Sequence, residues 1–146
     1  MPESPERYRV ILDVLYGLID DDNYAEAKRL MAQMPELETH NPVVILWSAL
    51  CAYDEADDLG CLREIARFLE TAPKHRQAPY ATFLANTCCH NLGLLSEALE
   101  LLKTVPKDYP DLARDRADAV RELEKRTKAK AWITRILIAR GAALPE

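Results

Sequence analysis

The chain has 146 residues, 49% of them apolar and 29% charged, with a net charge of −5. That length supports one continuous core, and the apolar fraction excludes a disordered chain. The acidic balance leaves no general basic field to neutralise phosphates, so no nucleic acid is expected as a partner.

No apolar run approaches the roughly 20 residues of a membrane helix. The start, "MPESPERYRV", has neither the basic nor the apolar part of a secretory signal, so no transmembrane segment and a cytoplasmic location are expected. The four cysteines, Cys51, Cys61, Cys88 and Cys89, are irregularly spaced and two are neighbours, which is a poor disulfide framework.

In chain order, "RYRVILDVLYGLI" places Val10, Ile11, Val14, Leu15 and Leu18 at helical intervals and predicts an amphipathic helix. A break is predicted at Asp21 to Asn23, whose short polar side chains can cap the next helix. That helix carries Ala27, Leu30, Met31 and Met34 on its inner face. The same order recurs in "NPVVILWSALCAYDEADDLGCLREIARFLETAP", with an acidic turn at Glu55 to Asp58. It recurs again in "APYATFLANTCCHNLGLLSEALELLKTVPKDYP", with Gly93 at the turn. Prolines 73 and 110 mark ends, because proline has no amide hydrogen for a helix interior. Strand alternation is absent, so the fold class is all-α.

Three such units, at about 8–42, 43–78 and 79–110, resemble the tetratricopeptide repeat family, whose unit is a helix-turn-helix of about 34 residues. The unit closest to the pattern has Ala85, Asn86 and Cys89 in the first helix, Gly93 at the turn, then Leu95, Ala98, Leu102, Val105 and Pro110. The first unit matches through Val14, Leu15, Leu18, Asp22, Tyr24, Ala27, Met31 and Met34. The middle one matches through Ala49, Leu50, Tyr53, Asp57, Leu59, Leu62, Ala66 and Leu69. Two places depart from the pattern. Leu62 stands where alanine is favoured, which would widen the approach of its helix pair, and Asn86 replaces glycine or alanine. The resemblance implies a single domain, a short right-handed superhelical stack of TPR-like units, closed by a helical cap over about 111–141.

Family members commonly bind ligands on the concave face formed by their first helices. Carried over place by place, that lining is Arg9, Leu12, Asp13, Tyr16 and Ile19 from the first unit. The second contributes Val44, Trp47, Ser48, Cys51, Asp54 and Glu55, and the third Tyr80, Phe83, Leu84, Thr87, His90 and Asn91. The resemblance thus implies a noncatalytic protein-protein interaction module, an adaptor or chaperone, that takes a peptide or amphipathic helix of a partner in an apolar groove. Members that grip acidic chaperone tails use a clamp of lysine, arginine and asparagine. Here Leu12, Tyr16, Trp47, Cys51, Phe83 and Thr87 stand at those places, which argues against that specificity.

The C-terminal segment carries a second apolar stripe, Trp132, Ile133, Ile136 and Leu137, among Lys128, Lys130, Arg135 and Arg140. Folding back over the repeats is the first reading of that stripe, against one in which the basic amphipathic segment lies on an acidic membrane or partner. Self-association into a homo-oligomer, as a structural adaptor, is the alternative if it stays exposed.

The triplet Cys88-Cys89-His90 invites a metal or thiol reading. Neighbouring helical residues point about 100° apart, and no CxxC or HExxH spacing supplies further ligands. The cysteines therefore read as small apolar fillers, and neither a metal nor another cofactor is expected. The acidic runs "DDDN" and "DEADD" read as solvated turns rather than acid-base pairs, so no catalytic residues are assigned.

Overall fold

The computed structural model describes the backbone over residues 5–109 and 112–139, and side-chain surroundings over 6–109 and 112–131. Every element in that range is helical: α1 (Pro5–Asp20), α2 (Tyr24–Gln33), α3 (Leu37–His40), α4 (Val43–Asp54), α5 (Asp58–Thr71), α6 (Ala78–Asn91), α7 (Leu95–Thr104) and α8 (Ala113–Ala139). The chain packs as two compact units, residues 1–81 and 82–146. The cap segment is one continuous helix, α8.

In the N-terminal unit α2 packs against both α1 and α4, and α4 packs against α5. The core joins Leu15 of α1, Ala27 and Met31 of α2, and Val44, Trp47 and Cys51 of α4. Burying each large side chain of this set stabilises the unit by roughly 1.5–3 kcal/mol relative to exposing it. Not all of the apolar stripe of α1 is used. Leu15 is fully buried, while Val10 and Val14 are 61% and 51% exposed. Helical spacing gives the width of a stripe, but the neighbouring helices reach only one edge of it.

The short α3 has no counterpart in the sequence reading. One turn between Pro35 and Pro42 is too short to show periodicity, yet it seats Leu37 in the core and stacks His40 on the Tyr8 ring at 3.8 Å. The next helix starts cleanly because Pro42 stands at its N-cap and the Asn41 side chain accepts from the Val43 N–H at 3.0 Å.

The three predicted turns share one geometry. Each puts a residue in the left-handed region: Asp22 at φ 56°, Ala56 at φ 59° and Gly93 at φ 78°. Each makes the same two backbone bonds. The following amide reaches back five residues, Asn23 N–H to Leu18 O, Asp57 N–H to Ala52 O and Leu94 N–H to Cys89 O, at 2.8–2.9 Å. The left-handed residue's own amide bonds three residues back. This is the Schellman ending of a helix. It is held by backbone, and the Asn23 side chain makes no capping bond, contrary to the expectation for that turn.

The shared geometry corrects the middle unit by one residue. Ala56, not Asp57, is the left-handed residue, and Asp57 instead caps α5, its Oδ1 accepting from the Gly60 N–H at 3.0 Å. The small residue opposite the close approach is then Cys61, fully buried like Ala27 and Ala98. Leu62 does not stand at that place: it is half-buried, and Leu59 is 64% exposed. Ile65 and Phe68 fill the α5 core positions instead of Ala66 and Leu69.

In the C-terminal unit α7 packs against α8. Its core includes Leu84, Ala85, Cys88, Cys89, Ala98, Leu102, Val105 and Leu123. The buried Asn86 has a physical role in place of glycine or alanine. With its amide oriented to satisfy both ends, Nδ2 donates to the Ala98 carbonyl at 3.2 Å and Oδ1 faces the Thr87 N–H at 3.3 Å. It ties α6 to α7 where they approach closely.

Candidate functional site

The proposed lining divides between the two units, with Arg9, Leu12, Tyr16, Trp47, Cys51 and Tyr80 in the first and Phe83, Leu84, Thr87, His90 and Asn91 in the second. Each part has its own surroundings.

In the first unit the lining residues on α4 face two ways. Trp47 is 8% exposed and lies tilted beneath the Tyr16 ring, with centroids 6.4 Å apart, while Tyr16 itself is 62% exposed. Leu50, Tyr53 and Asp54 follow Trp47 three, six and seven residues on, along the same stripe. With Asp22 and Tyr24 they line a cavity of about 380 Å³. The Tyr24 hydroxyl donates to Asp22 at 3.0 Å, and burial, then that bond, push its pKa up to about 12. Leu12 is half-buried and Arg9 exposed beside this face on α1.

Cys51, one turn beyond Trp47 and in the same core cluster, opens toward α2 and α5. With Val44, Ser48 and Glu55 it lines a larger cleft of about 400 Å³ among α2, α4 and α5, floored by Met31 and Met34. The Sγ of Cys51 lies 3.6 Å from the Tyr24 carbonyl, and burial pushes its thiol up to about 11. Lys28 and Glu55, both on the rim, pair with each other at 2.7 Å. The family resemblance implies that Trp47 and Cys51 share one groove. In the structure both lie in one core cluster, and of the two Cys51 alone lines the cleft among α2, α4 and α5. Tyr53, a packing residue in that resemblance, is 37% exposed and lines the smaller cavity with Leu50 and Asp54.

In the second unit α8 lies over the lining residues of α6. Phe83, Thr87 and His90 face Ala119, Glu122 and Leu123 across a cavity of only about 140 Å³, and Arg126 contacts His90 Nε2. Leu84 is buried, and Asn91 is exposed. This third of the lining is occupied by the chain's own helix. The stripe of Trp132, Ile133, Ile136 and Leu137, together with Arg135 and Arg140, lies outside the residues whose side chains are described.

All four cysteines are buried thiols. The Cys89 thiol is also raised, by burial and then by Glu97, which works against the thiolate that nucleophilic or metal chemistry needs. Among the described residues no group of three or more His, Cys, Asp or Glu side chains gathers as a metal site, and no helix is long and apolar enough to cross a membrane. Comparison with protein-family models and with curated proteins finds no match to this chain.

Proposed function

We propose that the chain is a noncatalytic interaction module, an adaptor or chaperone of TPR-like stacked hairpins, that receives a partner's peptide or amphipathic helix on the α1–α4 face of its N-terminal unit. The observation that carries this reading is the exposed Tyr16 ring set on buried Trp47, continuous along α4 with the cavity of Leu50 and Tyr53. An exposed aromatic supported from below is a rigid anchor, the kind of group that dominates binding energy at interfaces. Residues 1–81 hold 15 acidic and eight basic side chains, and Asp22 and Asp54 border the cavity. The partner segment is therefore apolar on one side and cationic beside it.

The α6–α8 packing supports the choice of occupant, since it shows a helix seated on the equivalent residues of α6. The test is selection from a displayed library of helical peptides, followed by titration against Tyr16→Ala/Tyr53→Ala. Enrichment of cationic amphipathic sequences, and an affinity loss of about tenfold or more in the double variant, is the expected result. Selected peptides that bind the variant as tightly as the parent chain overturn it.

A further inference from the structure

The two units differ in charge. Residues 82–146 hold nine acidic and 11 basic side chains, the reverse of the acidic first unit. Four of the cations border one cleft of about 540 Å³ between α7 and α8: Lys103, Lys107, Arg116 and Arg121, with Ala117 and Val120 beside them. No carboxylate is among its described lining residues.

We propose that this cleft is a second binding site, which receives a carboxylate-rich peptide segment of a partner. Helix-end chemistry accounts for only part of the cluster. Lys103 sits in the last turn of α7, and Arg116 donates from Nε to the Val105 carbonyl at 2.7 Å and from Nη2 to the Lys103 carbonyl at 3.5 Å, so both complement the carbonyl end of that helix. Lys107 lies beyond the helix and Arg121 further along α8, and neither makes such a bond to those carbonyls. Their charge in the same cleft raises its repulsion, which a bound anion relieves.

Arg121 pairs with Asp118 on its own helix, but that pair is exposed, and exposed pairs are weak enough to exchange. Arg116 is already held by two carbonyls, which lowers the ordering cost of the cation at the centre. A single oxyanion is a poorer fit. The cations are spread over α7, the residues just after it and α8, they are mostly exposed, and the apolar Ala117 and Val120 suit side chains interspersed with carboxylates. The charge pattern also sets this partner apart from the cationic one proposed for the first unit.

The experiment is a fluorescence-anisotropy titration of the full chain at low salt with a labelled peptide of alternating glutamate and leucine. A matching peptide with glutamine for glutamate is the control. Expected are saturable binding of the acidic peptide alone, weakening with added salt, and an affinity loss of about tenfold in Lys103→Glu/Lys107→Glu. Arg114→Glu/Lys125→Glu, on exposed cations outside the cleft, is expected to leave binding within about twofold, the change of a non-contacting pair. Tyr16→Ala/Tyr53→Ala is expected to leave it unchanged, which separates this site from the first. Circular dichroism checks the fold, and if the charge reversal unfolds the chain, Lys103→Gln/Lys107→Gln replaces it with a loss of about threefold. The proposal is overturned by equal affinity for the glutamine peptide or undiminished affinity in the cleft variants. It is equally overturned by absence of saturation, or by displacement of the peptide by inorganic pyrophosphate at matching concentration.

Discussion

Asp22 and Ala56 stand at the same point of successive helical hairpins, each held in the left-handed region by the same pair of backbone hydrogen bonds. The third hairpin uses Gly93 there, the residue for which this conformation carries no Cβ penalty. Ala56 has no such freedom and no side chain that bonds locally. Replacing it with glycine should therefore stabilise the chain by on the order of 0.5–1 kcal/mol, the relieved strain less the added entropy of the unfolded chain. Asp22→Gly should gain less, because it also removes the acceptor of the Tyr24 hydroxyl. Chemical denaturation of both variants checks the order, and an Ala56→Gly chain less stable than the parent contradicts it.

The start of α5 offers a test of coupling. A Cβ on Gly60 would stand 2.2 Å from Oδ2 of Asp57, the side chain that caps the helix through the Gly60 N–H. Gly60→Ala must displace that cap, and Asp57→Ala removes it, each costing about 1 kcal/mol. Both changes strike one interaction, so the double variant should cost clearly less than the two singles added together. Additive losses in a denaturation cycle would show that the clash is relieved some other way.

Tyr16 and Trp47 are in contact but should respond very differently to truncation. Tyr16→Ala removes a ring that is mostly in water and should change stability by less than about 1 kcal/mol. Trp47→Ala empties a buried position and should cost about 3–5 kcal/mol. Only the Tyr16 variant reports cleanly on binding, and thermal melts of both decide whether this division holds.

The thiol of Cys51, raised to about 11, should stay protonated through neutral pH. A group whose folded pKa lies above its unfolded value favours the fold at low pH, and that contribution is lost as pH rises from the unfolded value through the folded one. For Cys51 the window runs from 9.0, the ordinary thiol value, to about 11. Alkylation at neutral pH should be slow in the native chain and complete in denaturant, followed by mass spectrometry. Rapid native labelling of Cys51 would show a reactive thiolate instead.

Asn86→Ala should cost about 1–2 kcal/mol, the value of a buried amide linking α6 to α7. Asn86→Asp should cost more near neutral pH and recover part of the loss in mild acid, because it places a carboxylate against the Ala98 carbonyl that protonation turns into a donor. Equal stability of the aspartate and alanine variants across that range would remove Asn86 from the role of cross-link.

Helical class, the positions of the three turns and the small residues Ala27 and Ala98 were legible in the amino-acid order, because periodicity, proline and glycine act over a few neighbouring residues. Within the middle turn the left-handed place falls on Ala56 rather than Asp57, since alanine in that conformation leaves no compositional mark. The one-turn helix at Leu37, the exposure of Val10 and Val14, and the seating of α8 over Phe83 and His90 were decided by which helices approach one another. Those approaches depend on contacts between residues distant in the chain, and a helical stripe specifies what can be buried without specifying what arrives to bury it.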